Sequence, residues 1–489
     1  MTSRDDWKPI LDELERRRGI ARAMGGADRV ERLMKGRGKL DARTRLDLLF
    51  DEGSFVELGP LVGGTSAPAD ALVAGFGKVD GRPVMAAAED FTVLGGSIGS
   101  GSMAKRYRIC ELALQEKAPL VFMLDGAGHR LTETEAPPGR APNDLLSLAD
   151  LSGQVPMVCL VLGASAGHGA LTSPLSDFTV MTKNASMFTG GPPLVKAALG
   201  EDVTKEELGG APVCEAAGTA HNIAEDDAEA IAMARSYLAY LPSHPGEAPP
   251  RRNGRDTAPR VLDDLLDVIP PSDRKPYKMR TVIDRLVDEG SFVEIQPGYG
   301  PSLIIGFAFL GGRAAAILAN DPWVRSGSVD SAAAIKAMDF LETAGTVGLP
   351  VIFLADNPGV MAGTRAERDG ILKWAGKMFK AQHRLRVPKI SVTFRKAFGF
   401  GSSSMAANPF DHQTLMLSFP AVTMSSMPAA PGGQSAKLDD ETQARVEEAQ
   451  AAGPWRSASG MGYDDIIDPR ELRNAILAGL DLADSRARR

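Results

Sequence analysis

Apolar positions along the chain fall into short β-forming runs, each preceded by a longer stretch with helical spacing. VFMLD at 121–125 and VCLVLG at 158–163 are such runs, and AKRYRICELALQEKA at 104–118 spaces its apolar residues for one helix face. The alternation of helix, turn and strand predicts an α/β fold. The strands run out into glycine: GASAGHGAL follows at 163–171, and RKAFGFGSSSM occupies 395–405. No apolar run approaches the ~20 residues that a membrane helix needs. The N-terminus, MTSRDDWKPILDELERRRGIARAM, is charged from residue 4 and lacks the apolar core of a signal peptide. Within 11–35, Arg16, Arg17, Arg18 and Arg22 alternate with acids, the pattern of a solvated helix face. These patterns predict a cytoplasmic protein that does not associate with a membrane.

The same pattern occurs twice. DEGSFVE stands at 51–57 and again at 288–294. Gly81-Arg82-Pro83 recurs as Gly312-Arg313-Ala314, and PLVFMLD ending at Asp125 recurs as PVIFLAD ending at Asp356, both at an offset of 231. VPMVCLVLGASAG recurs as VPKISVTFRKAFG, with Gly167 and Gly399 separated by 232. Chance turn motifs would not hold that register, so the chain reads as two homologous halves. The segment LPSHPGEAPPRRNGRDTAPR (241–260), rich in proline and charge, reads as an exposed linker between a domain at 1–240 and another at 261–489.

Composition changes this picture little. The 489 residues would suggest three domains of ~150 residues, and the repeat replaces that count with two. A formal charge of −7 gives no sign of a nucleic-acid binder. The three cysteines, Cys110, Cys159 and Cys214, are far apart without a CxxC pair, which fits a reducing compartment and excludes a disulfide framework. Six scattered histidines (129, 168, 221, 244, 383, 412) form no metal motif, so no metal site is expected.

Candidate chemistry lies in the glycine turns. A turn between strand and helix leaves backbone N–H groups unpaired and suits a phosphate or a developing oxyanion. Gly167-His168-Gly169 and Phe398-Gly399-Phe400-Gly401 occupy equivalent places in the repeat; each could equally be a packing turn. GASAG at 163–167 also fits a nucleophile elbow around Ser165, but the repeat partner of Ser165 is Ala397, and no spacing favours His383 or His412 as its base. The Gly/Ser loop 90–108, with Gly95, Gly96, Lys105, Arg106 and Arg108, does not fit a P-loop. Gly190-Gly191 precede Pro192-Pro193 at a helix start, with Lys196 in its first turn. Lys105 and Lys196 could face a phosphate or simply water. Asp125 and Asp356, which end equivalent strands, read as buried caps rather than general bases.

The motifs as a set resemble a family. DEGSFVE, DFTVLGGSIG, Asp125 followed by Gly126-Ala-Gly128-His129-Arg130, SAGHGALTSPLSDF, GGPPLVKAALGEDVTKEELGGA, DLLDVIP, DNPGVMAGT and RKAFGFG are similar to the carboxyltransferase (β) subunit of biotin-dependent acyl-CoA carboxylases, of propionyl- or methylcrotonyl-CoA type. The resemblance covers about residues 10–480. It implies two tandem ClpP/crotonase-like domains and a hexamer, with each active site between the N-half of one chain and the C-half of another. It implies that Gly167, His168 and Gly169 hold the thioester carbonyl of an acyl-CoA as it becomes an enolate, and that Phe400 and Gly401 polarise the ureido carbonyl of carboxybiotin. Gly95, Gly96, Lys105, Gly128, Arg130, Gly190, Gly191 and Lys196 would contact the acyl-CoA, and Ser403 would line the acyl pocket. Biotin would arrive on a separate biotin carboxyl carrier subunit, loaded by a biotin carboxylase, since the chain carries no AMKM-like biotinylation sequence. His129, His168, Phe400 and the segment 424–440 depart from the family pattern. The same chemistry reversed, as an acyl-CoA decarboxylase component, and a non-catalytic scaffold or regulatory paralogue are the alternatives.

Overall fold

Eight strands that begin after residue 55 form one sheet. The computed structural model describes residues 3–130, 143–254 and 256–487. It divides into unit 1, Met1–Ala239 with Ser243–Pro245, and unit 2, Tyr240–Pro242 with Gly246–Arg489. In unit 1, β1 (Val56–Leu58), β2 (Leu72–Val79) and β3 (Arg82–Glu89) form an antiparallel meander. The chain then switches to parallel pairing through β4 (Leu120–Gly126), β5 (Met157–Ala166), β6 (Phe178–Thr182) and β8 (Asn222–Ala224), while β7 (Ser186–Phe188) pairs with the end of β5. β4 is buried along its whole length, which accounts for its continuous apolar run; a parallel strand covered on both faces has no polar side to show.

Unit 2 repeats this order strand for strand. β9 (Val293–Ile295), β10 (Leu303–Leu310) and β11 (Arg313–Asn320) are antiparallel. β12 (Val351–Asn357), β13 (Lys389–Phe398), β14 (Leu415–Ser418) and β16 (Asp465–Ile466) are parallel, and β15 (Thr423–Ser425) pairs with the end of β13. Even the irregularity is copied. Pairing slips between Leu124 and Gly126 in one sheet and between Ala355 and Asn357 in the other. The expected α/β class and its duplicated architecture are therefore present, with one apolar core under each sheet. Phe122, Leu148 and Val161 lie in the first core, and Ile352, Val392 and Phe394 in the second.

The proline-rich segment is exposed over much of its length, and part of its backbone is bonded to unit 2. Leu241 is buried, and from Gly246 onward the chain belongs to unit 2. Arg252 N–H donates to the Gly312 carbonyl at 2.7 Å, Ala314 N–H to Pro250 at 3.2 Å, and Arg260 N–H to Asn474 Oδ1 at 2.9 Å. The first two bonds lie at the β10–β11 turn and the start of β11, the third reaches the C-terminal helix Leu472–Ala487, and together they hold the segment down despite its polar side chains. Among the described residues no helix is long and apolar enough to cross a membrane, and no cluster of His, Cys, Asp and Glu could hold a metal ion.

One histidine makes unit 1 acid-sensitive. His221 Nδ1 accepts the Thr179 N–H at 3.0 Å, and burial lowers its pKa from an ordinary 6.5 to about 4. The unfolded chain therefore binds this proton more readily, so the ring's contribution to stability is complete above pH 6.5 and is lost as pH falls through 4. Thermal unfolding of unit 1 followed between those limits is expected to show this slope, and His221→Gln to flatten it.

Candidate functional site

The turn after β5 opens with Gly167 in the left-handed region, φ 55°, where its N–H still reaches the Phe188 carbonyl at 3.1 Å. The next two N–H groups, of His168 and Gly169, find no acceptor among the described residues. The loop after β4 lies alongside. A Cβ on Gly128 would stand 2.6 Å from the Ala166 carbonyl oxygen, so only glycine permits this approach. Gly95 and Gly96 complete the cluster: Ala127 N–H donates to Gly95 at 3.0 Å, and Ile98 N–H to Gly128 at 2.8 Å. The Thr189 carbonyl lies 3.5 Å from a Cβ on Gly167, which seats Gly190-Gly191 and the helix Pro192–Leu199 beside the turn. Gly95, Gly96, Gly128, Gly167, His168, Gly169, Gly190 and Gly191 are thus brought together, as loops at the carboxyl ends of parallel strands.

Behind this turn lies a buried chain of charges. His168 Nε2 is 2.7 Å from Asp144 Oδ1, and Asp144 Oδ2 accepts from Arg106 Nε at 2.6 Å. Arg106 also donates to Thr172 Oγ1 at 2.6 Å and approaches Glu89 Oε1 at 3.5 Å. Burial works against the Asp144 carboxylate, but the His168 hydrogen bond and the Arg106 charge outweigh it and hold its pKa at about 2. Glu89 shows the opposite balance. Its burial prevails over Arg106 and raises it to about 7, and its Oε2 accepts the Asp125 N–H at 2.8 Å.

Unit 2 builds the same turn with different side chains. Gly399 has φ 53°, and the N–H groups of Phe400 and Gly401, at the start of the short helix Gly399–Ser404, find no acceptor among the described residues. The loop Asn357-Pro358-Gly359-Val360 runs beside it, as Gly126–His129 does in unit 1. Val329 N–H donates to the Gly359 carbonyl at 3.2 Å, matching Ile98 and Gly128. Packing is closer here, because a Cβ on Gly401 would stand 2.6 Å from Asn357 Oδ1 and from Gly359 Cα. Ser403, half-buried in the helix, lends its carbonyl to Asn408 Nδ2 at 2.7 Å.

Two expected substrate contacts turn inward instead. Lys105 is buried, with its ammonium on the carbonyls of Ala69, at 3.2 Å, and Leu72, and burial lowers its pKa to about 8. Lys336, 231 residues later, does the same on the Gln296 carbonyl at 3.1 Å. Arg130 pairs at 2.7 Å with Asp70, which lies within three consecutive left-handed residues, Ala69–Ala71, and at 2.8 Å with the Ser97 carbonyl. Lys196 remains at the surface, 2.9 Å from Asp202. Ser165 is fully buried within β5, and its hydroxyl has no partner among the described residues, while His168 is engaged by Asp144. No elbow nucleophile exists there. Asp125 and Asp356 are buried ion-pair centres: Asp125 takes Lys39 and Arg45, and Asp356 takes Arg395 at 2.8 Å and the Tyr277 hydroxyl at 2.9 Å.

Sequence reasoning missed Asn357, Gly359 and Val360 as neighbours of the second turn, although the offset of 231 from Gly128 marks Gly359. It also missed Glu89 and Asp144, and it named Arg106 only as a cation of the 90–108 loop; all three meet His168 only in the fold. Two cavities at equivalent places in the repeat contain none of the turn residues. That of unit 1, about 370 Å³, is lined by charged groups including Lys39, Asp125, Lys205 and Asp227. That of unit 2, about 770 Å³, is mostly apolar, with Leu266, Ile269, Phe394 and Phe419.

Comparison with known proteins follows the same outline. Residues 34–489 match the family model of the carboxyl transferase domain. The chain is 35% identical over 494 residues to the methylmalonyl-CoA carboxyltransferase 12S subunit of Propionibacterium freudenreichii subsp. shermanii, covering 96% of this chain and 94% of that one. It is 34% identical over 497 residues to the mitochondrial propionyl-CoA carboxylase beta chain of Homo sapiens, covering 98% and 91%. The crystal structure of the transcarboxylase 12S hexamer with methylmalonyl-coenzyme A and methylmalonic acid bound superposes with a TM-score of 0.90 at 34% identity, covering 98% of this chain and 96% of that one.

Proposed function

The chain belongs to the carboxyl transferase family and is an acyl-CoA carboxyltransferase, and we propose that its two glycine turns hold the two carbonyls of the reaction. The observation that carries this reading is the pair of acceptor-free N–H groups at each turn, His168 and Gly169 in unit 1 and Phe400 and Gly401 in unit 2. Preorganised N–H donors are strongest where negative charge develops on oxygen, and each contributes roughly 2.7–4 kcal/mol to the transition state. In unit 1 they bind the thioester carbonyl and stabilise the enolate. In unit 2 the two N–H groups suit a ureido carbonyl, and the close packing of Gly401 on Asn357 and Gly359 holds them in place.

Biotin, carried by a separate carrier subunit and loaded by a biotin carboxylase, supplies the carboxyl group when bound there. Lys196 is the cation presented to CoA phosphate, with Gly190 and Gly191 shaping the approach. Arg130 serves by fixing Ser97, next to Gly95 and Gly96, and Lys105 by fixing the Ala69–Leu72 turn. Ser403 tunes acyl preference from the unit 2 helix. Assembly is as a homo-oligomer, and the three buried, unpaired cysteines support a reducing, cytoplasmic setting.

The test combines the chain with biotin carboxylase, biotinylated carrier, ATP and labelled bicarbonate, and offers acetyl-, propionyl- and 3-methylcrotonyl-CoA. Acid-stable label is expected in at least one acyl-CoA. Label that reaches the carrier but no acyl-CoA, with the carrier docked on this chain, would sink the reading in the forward direction. Loss of carboxyl from methylmalonyl-CoA to the carrier alone would assign the reverse one.

A further inference from the structure

The two turns differ most at one side chain. His168 stands where unit 2 has Phe400, one residue past the left-handed glycine; His168 packs on Asp144 at the start of helix Asp144–Leu151, and Phe400 on Phe379 of helix Ile371–Arg384 with ring centroids 5.3 Å apart. The charges behind His168 have no counterpart in unit 2, where Asn320 and Ala337 occupy the places of Glu89 and Arg106. Four ionisable groups have thus been set into the acyl side only, all but the imidazole fully withdrawn from water.

Their geometry resembles that of a working imidazole. A carboxylate on one ring nitrogen fixes the ring's orientation and leaves the other nitrogen to exchange a proton. Asp144 is held ionised by Arg106, its Oδ1 takes His168 Nε2, and Nδ1 has no partner among the described residues. The His168 ring retains 21% exposure, so a proton on it can exchange with water. Its own N–H is one of the donors for the thioester oxygen, and the α-carbon is bonded directly to the carbonyl carbon.

We propose that His168 transfers a proton between the α-carbon of a bound acyl-CoA and water, so that unit 1 enolises acyl-CoA without any carboxyl donor. This rests on the reading that the unit 1 turn holds the thioester. Nδ1 takes the α-proton; the C–H electron pair forms the Cα=C bond, and the carbonyl π pair moves to the oxygen on the His168 and Gly169 N–H groups. Return of a solvent-derived proton from Nδ1 restores the thioester with one hydrogen exchanged. Asp144 and Arg106 are positioning residues for this step. With a carboxyacyl-CoA, loss of CO2 leaves the same enolate, and protonation by His168 completes a decarboxylation that needs no biotin.

The experiment incubates the full chain with acetyl-CoA or propionyl-CoA in D2O, without carrier or ATP, and follows α-deuteration by NMR and mass spectrometry. Deuterium is expected at the α-carbon, and His168→Gln and Asp144→Asn are each expected to slow its entry by ~10²-fold or more without a matching loss of acyl-CoA affinity by calorimetry. Exchange with neither acyl-CoA, in a preparation that carboxylates one of them, overturns the inference and leaves the carboxyl-transfer reading standing. Exchange undiminished in both folded variants overturns it as well. Failure to bind any acyl-CoA removes both readings together.

Discussion

Gly401→Val is expected to abolish carboxyl transfer while the chain still folds and assembles. The first atom of the new side chain would lie 2.6 Å from Asn357 Oδ1, Gly359 Cα and the Gly359 carbonyl carbon, well inside contact distance, and two of those three are backbone. Something must move. Asn357 is tied by its Oδ1 to the Gly359 N–H at 3.0 Å, and by its Nδ2 to Asn320 Oδ1 at 3.3 Å, so the clash displaces the whole loop beside the turn. The N–H groups of Phe400 and Gly401 then lose their aim. Loss of a single oxyanion donor costs ~10²–10³ in kcat, and misdirecting two should bring transfer to background. Only the Asn357–Ala397 pair at the end of the β12–β13 register adjoins the clash, while Val351–Ala355 stay paired with Lys389–Thr393, so the sheet and the oligomer should persist by sedimentation. The unit 1 counterpart supplies the comparison: a Cβ on Gly169 would meet Glu89 Oε1 no closer than 3.4 Å, so Gly169→Ala should slow transfer far less than Gly401→Ala. A Gly401→Val chain with native transfer would remove the unit 2 turn from the reaction.

Arg45→Met is expected to destabilise unit 1 by ~3–5 kcal/mol, a large fraction of the ~5–15 kcal/mol that holds a typical domain. Arg45 is fully buried and bridges Asp227 at 2.8 Å and Asp125 at 3.1 Å, themselves almost completely out of water. Methionine fills the space but leaves Asp227 without its arginine partner, and Asp125 with Lys39 alone. The cost comes from stranding charge, since a buried pair as a whole need not exceed its own desolvation. Hydrogen exchange would locate the effect. β4 and β5 should lose protection while β12 and β13, which have their own Asp356–Arg395 centre, keep it and serve as the internal reference. Equal protection in the variant and native chains would mean that water or Lys39 replaces the guanidinium at no cost.

Duplication was legible because it is written in register. Strand cores such as PLVFMLD and PVIFLAD keep both order and spacing, and order and spacing are what a sheet uses to set its topology. The glycine turns were legible for a related reason: a left-handed residue at Gly167 and Gly399, and the close approach at Gly401, admit little else. Lys105 and Arg130 show where such reasoning stops. The charge of Lys105 suggested a phosphate and the resemblance gave Arg130 an acyl-CoA contact, but charge carries no direction, and in the fold both side chains are drawn onto the turn at Ala69–Leu72. The segment 241–260 is a further case in which composition is silent about backbone bonds. Its side chains favour water, while the Arg252 and Arg260 N–H groups bond to Gly312 and Asn474.

By itself, then, the sequence determined the class of fold, its duplication, the places of the two turns and, through the ordered set of motifs, the family. These depend on local pattern: apolar periodicity, glycine at positions other residues cannot occupy, and a constant offset. The tertiary structure alone decided which N–H groups are left without acceptors and which side chains stand behind them. His168, Asp144, Arg106 and Glu89 come from four separate segments, spread over 80 positions, with no shared spacing to announce them. They meet because β3, β5 and the helices Ser100–Glu116 and Asp144–Leu151 converge on one sheet end, and burial there gives each charge a partner it must find in space rather than along the chain.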